Sequence, residues 1–93
     1  DRIMDVRATA AGNPSTPAAA LVALVSDKSW EVREALAKNT HLDSQILADM
    51  AGNWSWMVRA AVAENPHTPA DTLRRLAEDP DQSVQKAARE RIG

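Results

Sequence analysis

The amino-acid sequence predicts an all-α fold made of stacked helical repeats. Two observations predict it. A stretch of eight residues recurs at a spacing of 26: Val6-Arg7, Val32-Arg33 and Val58-Arg59 open its copies, and Asn13, Asn39 and Asn65 close them. A fixed period of this size marks a repeat array. Each period also holds two apolar segments with the i, i+3, i+4 spacing of a helix face. The unit is helix, turn, helix, short loop, repeated about three and a half times. One unit cannot bury its own apolar face, and stacked neighbours make a continuous core.

The Val-Arg segments carry the plainest helical signal. Val32, Ala35 and Leu36 share one face, and Val58, Ala61 and Val62 repeat the spacing. Ser29 and Ser55 stand where an N-cap hydroxyl accepts from a first-turn N–H. Asn39 and Asn65 stand where a helix ends, and Asn tolerates the left-handed backbone common there. The other segment of each pair starts at Thr16-Pro17 and Thr68-Pro69, an N-cap followed by a proline whose missing N–H costs nothing in the first turn. Asp71, three residues after Thr68, favours the positive end of that helix. Leu21, Leu24 and Val25 are followed at the same positions by Leu47, Met50 and Ala51, then by Leu73, Leu76 and Ala77. The middle copy departs, with Thr40 for Pro, Leu42 for the capping Thr and Asp43 for the first proline. Asp43 itself can cap. Asp27, Asn53 and Asp79 mark the turns between paired helices. Approximate repeats are 6–31, 32–57 and 58–83, with 84–93 a C-terminal capping helix rich in polar residues, all in one domain spanning 1–93.

Composition narrows the function classes. The net charge of -2 gives no basic excess for nucleic acid and no long acidic run. There is no Cys, so no disulfide, thiolate nucleophile or Cys-ligated metal arises from this chain. No apolar run approaches the roughly 18–20 residues of a membrane span. A cytoplasmic domain is the expectation. The chain starts at Asp1 inside a repeat, as a piece of a longer or processed protein would, and end-to-end stacking is expected at that first, truncated repeat.

These residues resemble a known family. Asn65-Pro66-His67-Thr68-Pro69, then Leu73, Leu76-Ala77, Asp79 and the Val-Arg…Ala-Val-Ala-x-Asn stretch are similar to the leucine-rich repeat variant, and the Asp…Val-Arg arrangement also looks like a HEAT repeat. The resemblance covers about residues 6–88. It implies a right-handed solenoid related to armadillo and HEAT repeats, the second helix of each pair short or 3₁₀-like. Some relatives carry an iron–sulfur cluster on a separate Cys-bearing segment. Without Cys that feature does not transfer, and no catalytic, cofactor or metal residue does either.

Five sets of residues are candidates for more than packing. Arg7, Arg33 and Arg59 form a ladder that braces the Asp27, Asn53 and Asp79 turns or offers a basic strip to an acidic peptide or a phosphate backbone. Asn13, Asn39 and Asn65 are suited to satisfying loop backbone groups. His41 and His67 share one loop position with no third ligand recurring beside them, so they read as surface residues. Trp30 and Trp56 share a register that reads as core, whereas Trp54 corresponds to Lys28 and Pro80 and reads as an exposed anchor. Arg74 and Arg75, with Lys86, Arg89 and Arg91, make the last third locally basic among Glu78, Asp79, Asp81 and Glu90. The expected function is a non-enzymatic module binding a protein or peptide along its groove, through Arg33, Glu34, Lys38, Trp54, Arg59, Glu64 and Arg74. The alternative is contact with nucleic acid through the Arg ladder and the basic C-terminal end.

Overall fold

In the computed structural model, which describes residues 2–92, seven α-helices follow one another with no strand among the described residues. Asp1 and Gly93, the ends of the expected domain, lie outside the described residues. The helices are α1 (Arg2–Gly12), α2 (Ala18–Leu24), α3 (Trp30–Ala37), α4 (Ser44–Met50), α5 (Trp56–Glu64), α6 (Ala70–Leu76) and α7 (Gln82–Ile92). The longer helices α1, α3, α5 and α7 pack side by side in chain order. The shorter helices lean on them: α2 against α1 and α3, α4 against α5, and α6 against α5 and α7. All seven are α-helical, and the short member of each pair is the seven-residue α2, α4 or α6 rather than the Val-Arg helix. Extents of 37 × 23 × 17 Å suit four longer helices laid side by side at about 8–10 Å.

The repeated apolar positions form the core. Val32, Val58 and Val84 are fully buried, as are Leu36 and Val62 one turn on. Leu47, Met50 and Ala51, then Leu73, Leu76 and Ala77, close the other side. Val6 holds the same register but is 64% exposed, since no other described helix covers that side of α1. Ile3 beside it is exposed too.

The helix boundaries fall near the expected places, but four of the expected N-caps work differently. Thr16 and Thr68 do not cap α2 and α6. Their hydroxyls donate to the carbonyls of Ala10 and Val62, six residues back at the end of the preceding long helix. The N-cap residue is instead the proline, Pro17 or Pro69, with no side-chain bond. Ser29 and Ser55 occupy the N-cap positions of α3 and α5 without capping them. The Ser29 hydroxyl donates to Glu31, and the Ser55 hydroxyl is buried without a partner. The turn residue two places earlier takes over, as Asp27 and Asn53 accept the N–H of Ser29 and Ser55 at 2.9 Å each. Asn39 and Asn65 avoid the left-handed region, where no described non-glycine residue lies. Asp43 does cap, accepting from Gln45 N–H at 2.8 Å.

Candidate binding surface

Two polar ladders join the repeats, and they decide which side chains stay free. The first is the asparagine ladder. Asn39 Nδ2 donates to the carbonyls of Ala11 and Asn13 at 2.8 and 3.1 Å. Asn65 Nδ2 does the same to Ala37 and Asn39 at 2.8 and 2.9 Å. Their Oδ1 atoms accept from His41 and His67 N–H, which closes the loop beyond each helix. The Asn amide thus donates to the previous repeat while its oxygen accepts from its own loop, two roles in one short side chain. At the next step of 26, Arg91 continues the ladder, its Nη1 donating to Ala63 and Asn65 carbonyls at 3.1 and 2.8 Å.

The second is the arginine ladder at the opposite ends of the long helices. Arg7 makes a two-pronged pair with Asp27, Nε to Oδ2 at 2.7 Å and Nη2 to Oδ1 at 3.2 Å. Arg59 pairs with Asp79 at the same two distances. Bidentate arginine–carboxylate pairs of this kind are the strong class of charged hydrogen bond. Arg59 Nη1 also donates to the carbonyls of Asn53 and Trp54. Arg33 makes the equivalent bond from Nη1 to the Asp27 carbonyl, but its Nε and Nη2 are buried and without a partner. Gln85 ends the column, its Nε2 donating to the Asp79 carbonyl.

The Arg7 side chain, ahead of the Ser29 N–H, holds the Asp27 carboxyl below its ordinary range, against a burial that pushes the other way. The charge of Arg33 adds to the same lowering. A carboxyl lowered in the folded state contributes stability that is fully present above the unfolded value near 4 and lost as pH falls through the folded value. Arg7→Met is therefore expected to lower the melting temperature at pH 7, with the gap to wild type narrowing as pH falls from about 5 to about 2. Thermal melts of both proteins across that range check it.

The candidate partner-binding residues divide by place. Glu34, Lys38 and Glu64 line a shallow cavity of about 350 Å³ with Trp56, Met57, Ala60, Ala61 and Ser83, running from α3 across α5 to the start of α7. Lys38 and Glu34 pair across one helical turn at 3.6 Å. Trp56 was expected in the core with Trp30, and it is instead 45% exposed at the cavity's edge, while Trp30 packs against the core. Arg59 is half-buried and committed to Asp79. Arg33 is only 9% exposed, and its guanidinium carbon lies 5.7 Å from the centre of the Trp54 ring. Trp54 is 75% exposed. Arg74 is exposed on α6 and does not line this cavity. His41 and His67 are exposed, and no group of three His, Cys, Asp or Glu residues able to hold a metal occurs among the described residues. No described helix is long and apolar enough to cross a membrane.

Asn53 shares the register of Asp27 and Asp79, but its amide breaks the ladder. The Asp–Asn–Asp alternation at one register was the signal available. Arg91 standing one period after Asn65 was another.

Comparison with known proteins agrees with the architecture. No curated protein and no solved structure gives a significant match. The family model described as leucine rich repeat variant matches twice, at residues 4–29 and 56–81. The copy between these spans is the one that carries Leu42, Asp43 and Asn53. With two full repeats matched and the intervening helices stacked in the same register, the chain belongs to the leucine rich repeat variant family.

Proposed function

We propose that this domain is a non-enzymatic interaction module that binds a protein segment as an extended peptide across α3, α5 and α7. The observation that carries the reading is the cavity on these helices. Its floor is apolar, with Met57, Ala60 and Ala61, and its rim carries both signs of charge, Lys38 against Glu34 and Glu64. Repeat solenoids bind through surfaces of this kind, spread over several repeats. Trp56 at the edge is the aromatic anchor, a residue type enriched among binding hot spots.

Selection of displayed twelve-residue peptides on the immobilised domain tests it. Trp56→Ala and Met57→Glu are each expected to weaken the selected peptides at least about tenfold, the loss of one hot-spot side chain. Selected peptides that bind both variants as well as wild type would place the binding face elsewhere.

Contact with nucleic acid has less support. Arg7 and Arg59 are paired with carboxylates, Arg33 is covered, and Arg89 and Arg91 each donate to backbone carbonyls. A steep fall of affinity with salt would favour that reading over the peptide one.

A further inference from the structure

The middle rung of the arginine ladder has lost its acid and kept its base. In the flanking rungs the residue 20 positions after the arginine is Asp27 or Asp79, and each offers one carboxylate oxygen to Nε and the other to Nη2. After Arg33 that residue is Asn53. Its one acceptor, Oδ1, takes the Ser55 N–H at 2.9 Å, as Asp27 Oδ1 takes that of Ser29, but unlike Asp27 Oδ1 it takes no arginine Nη2 as well. What remains at the second oxygen's position is an amide –NH2, a donor where the guanidinium needs an acceptor. The Asp27 carboxylate does not serve in its place, because Arg7 and Ser29 occupy it. Arg33 is nonetheless held in register by its Nη1 bond to the Asp27 carbonyl. The result is a fixed, nine-tenths-buried cation with two vacant donors.

We propose that the Arg33–Asn53–Trp54 corner is a slot for a carboxylate supplied by a bound peptide, an Asp or Glu side chain that completes the rung from outside the chain. A carboxylate accepts from both the guanidinium and the Asn53 amide, which no neutral side chain does as well. Asp27 acts on Arg33 only through space and leaves Nε and Nη2 without an acceptor, so the arriving anion relieves the cost of buried, unmet donors. Trp54 is the movable cover. Its ring lies on the guanidinium yet stays largely in water, so little packing resists its displacement. Once displaced, it can pack on the apolar neighbours of the acidic residue. The choice of carboxylate over phosphate follows from the sister rungs, where a planar two-oxygen group fills this same fork. The source of the carboxylate rests on the peptide-binding reading above; the slot itself does not.

The test uses sodium acetate against sodium chloride at matched ionic strength, read by the Arg33 Nε–H and Trp54 indole signals in ¹⁵N-resolved spectra. Acetate is expected to shift both signals saturably and chloride to leave them in place. Asn53→Asp fills the slot within the chain and is expected to weaken the acetate response at least about tenfold while melting no lower than wild type, which separates an occupied slot from a misfolded one. Equal shifts with chloride, an unchanged acetate response in Asn53→Asp, or shifts with inorganic phosphate and none with acetate would each overturn the proposal. A second arm compares a blocked pentapeptide bearing a central Glu between leucines with its Gln twin. At least about tenfold tighter binding of the Glu peptide to wild type, lost in Asn53→Asp, supports the peptide source. An acetate response with no difference between the twins overturns that source and leaves the groove to be judged by the Trp56 and Met57 variants.

Discussion

Asn65→Ala is expected to lower the unfolding free energy by about 3–5 kcal/mol, as measured by urea denaturation followed by circular dichroism. Asn65 is 2% exposed, and its side chain serves three backbone groups at once. Two are carbonyls of the preceding repeat, Ala37 and Asn39, and the third is the His67 N–H of its own loop. Alanine removes all three bonds and leaves groups in a buried setting where each unmet bond costs about 1–3 kcal/mol. Relaxation and an entering water reduce the sum, which is why the expected loss falls at the lower part of the possible total. Domains of this size are stable by about 5–15 kcal/mol, so one side chain carries a large share. Asn13→Ala is the control. Asn13 has the same register but is exposed, and its carboxamide oxygen accepts only from Ser15 N–H, so its loss should cost under about 1 kcal/mol. Equal costs at the two positions would mean that the asparagines act on their own loops and not as joints between repeats.

That contrast also marks how far the sequence could be read. Stacking residues were legible because their requirement is periodic. Val32, Val58 and Val84 must be apolar for one reason, and all three are buried. The fold class and the order of helices follow from that period. Polar roles were less legible, because the partner of each polar residue lies in another repeat or in a previous helix. Thr68 and Asn65 have local readings, as a cap and as a left-handed stop, that are chemically sound. Their actual partners stand six residues back and one repeat back, and propensity carries no record of either. Exposure at a shared register was not legible: Trp30 packs against the core while Trp56 stands at its edge, although both stand two residues before the repeated valine. Of the candidate surface, the exposure of Trp54 was legible from its disagreement with Lys28 and Pro80. The covering of Arg33 was not: Asn53 signals the missing acid, but burial under Trp54 depends on how the repeats pack.

Asp79→Asn makes the third rung resemble the second, and it is expected to cost about 2–4 kcal/mol. Asn at 79 can still accept the Asp81 N–H, so the turn survives. What disappears is the carboxylate that takes both Nε and Nη2 of Arg59. The side chains of the pair are 15% and 6% exposed, so water screens it little. Removing one partner of such a pair leaves an uncompensated buried charge, a loss of about 3–5 kcal/mol where nothing else holds the ion. Arg59 keeps its two bonds to the Asn53 and Trp54 carbonyls, which lowers the expected cost. Asn53→Asp runs the other way and is expected to gain about 1–3 kcal/mol by supplying Arg33 with its missing acceptor. The double variant moves the vacancy from the second rung to the third and should return close to wild-type stability. Additivity within about 0.5 kcal/mol is not expected there, because Arg59 bonds the backbone of residue 53 and a carboxylate at that position also acts on it. Chemical denaturation of the four proteins measures each term. If Asp79→Asn costs under about 1 kcal/mol, the paired rungs are held by their carbonyl bonds alone, and a missing carboxylate at the middle rung would no longer mean an unmet charge.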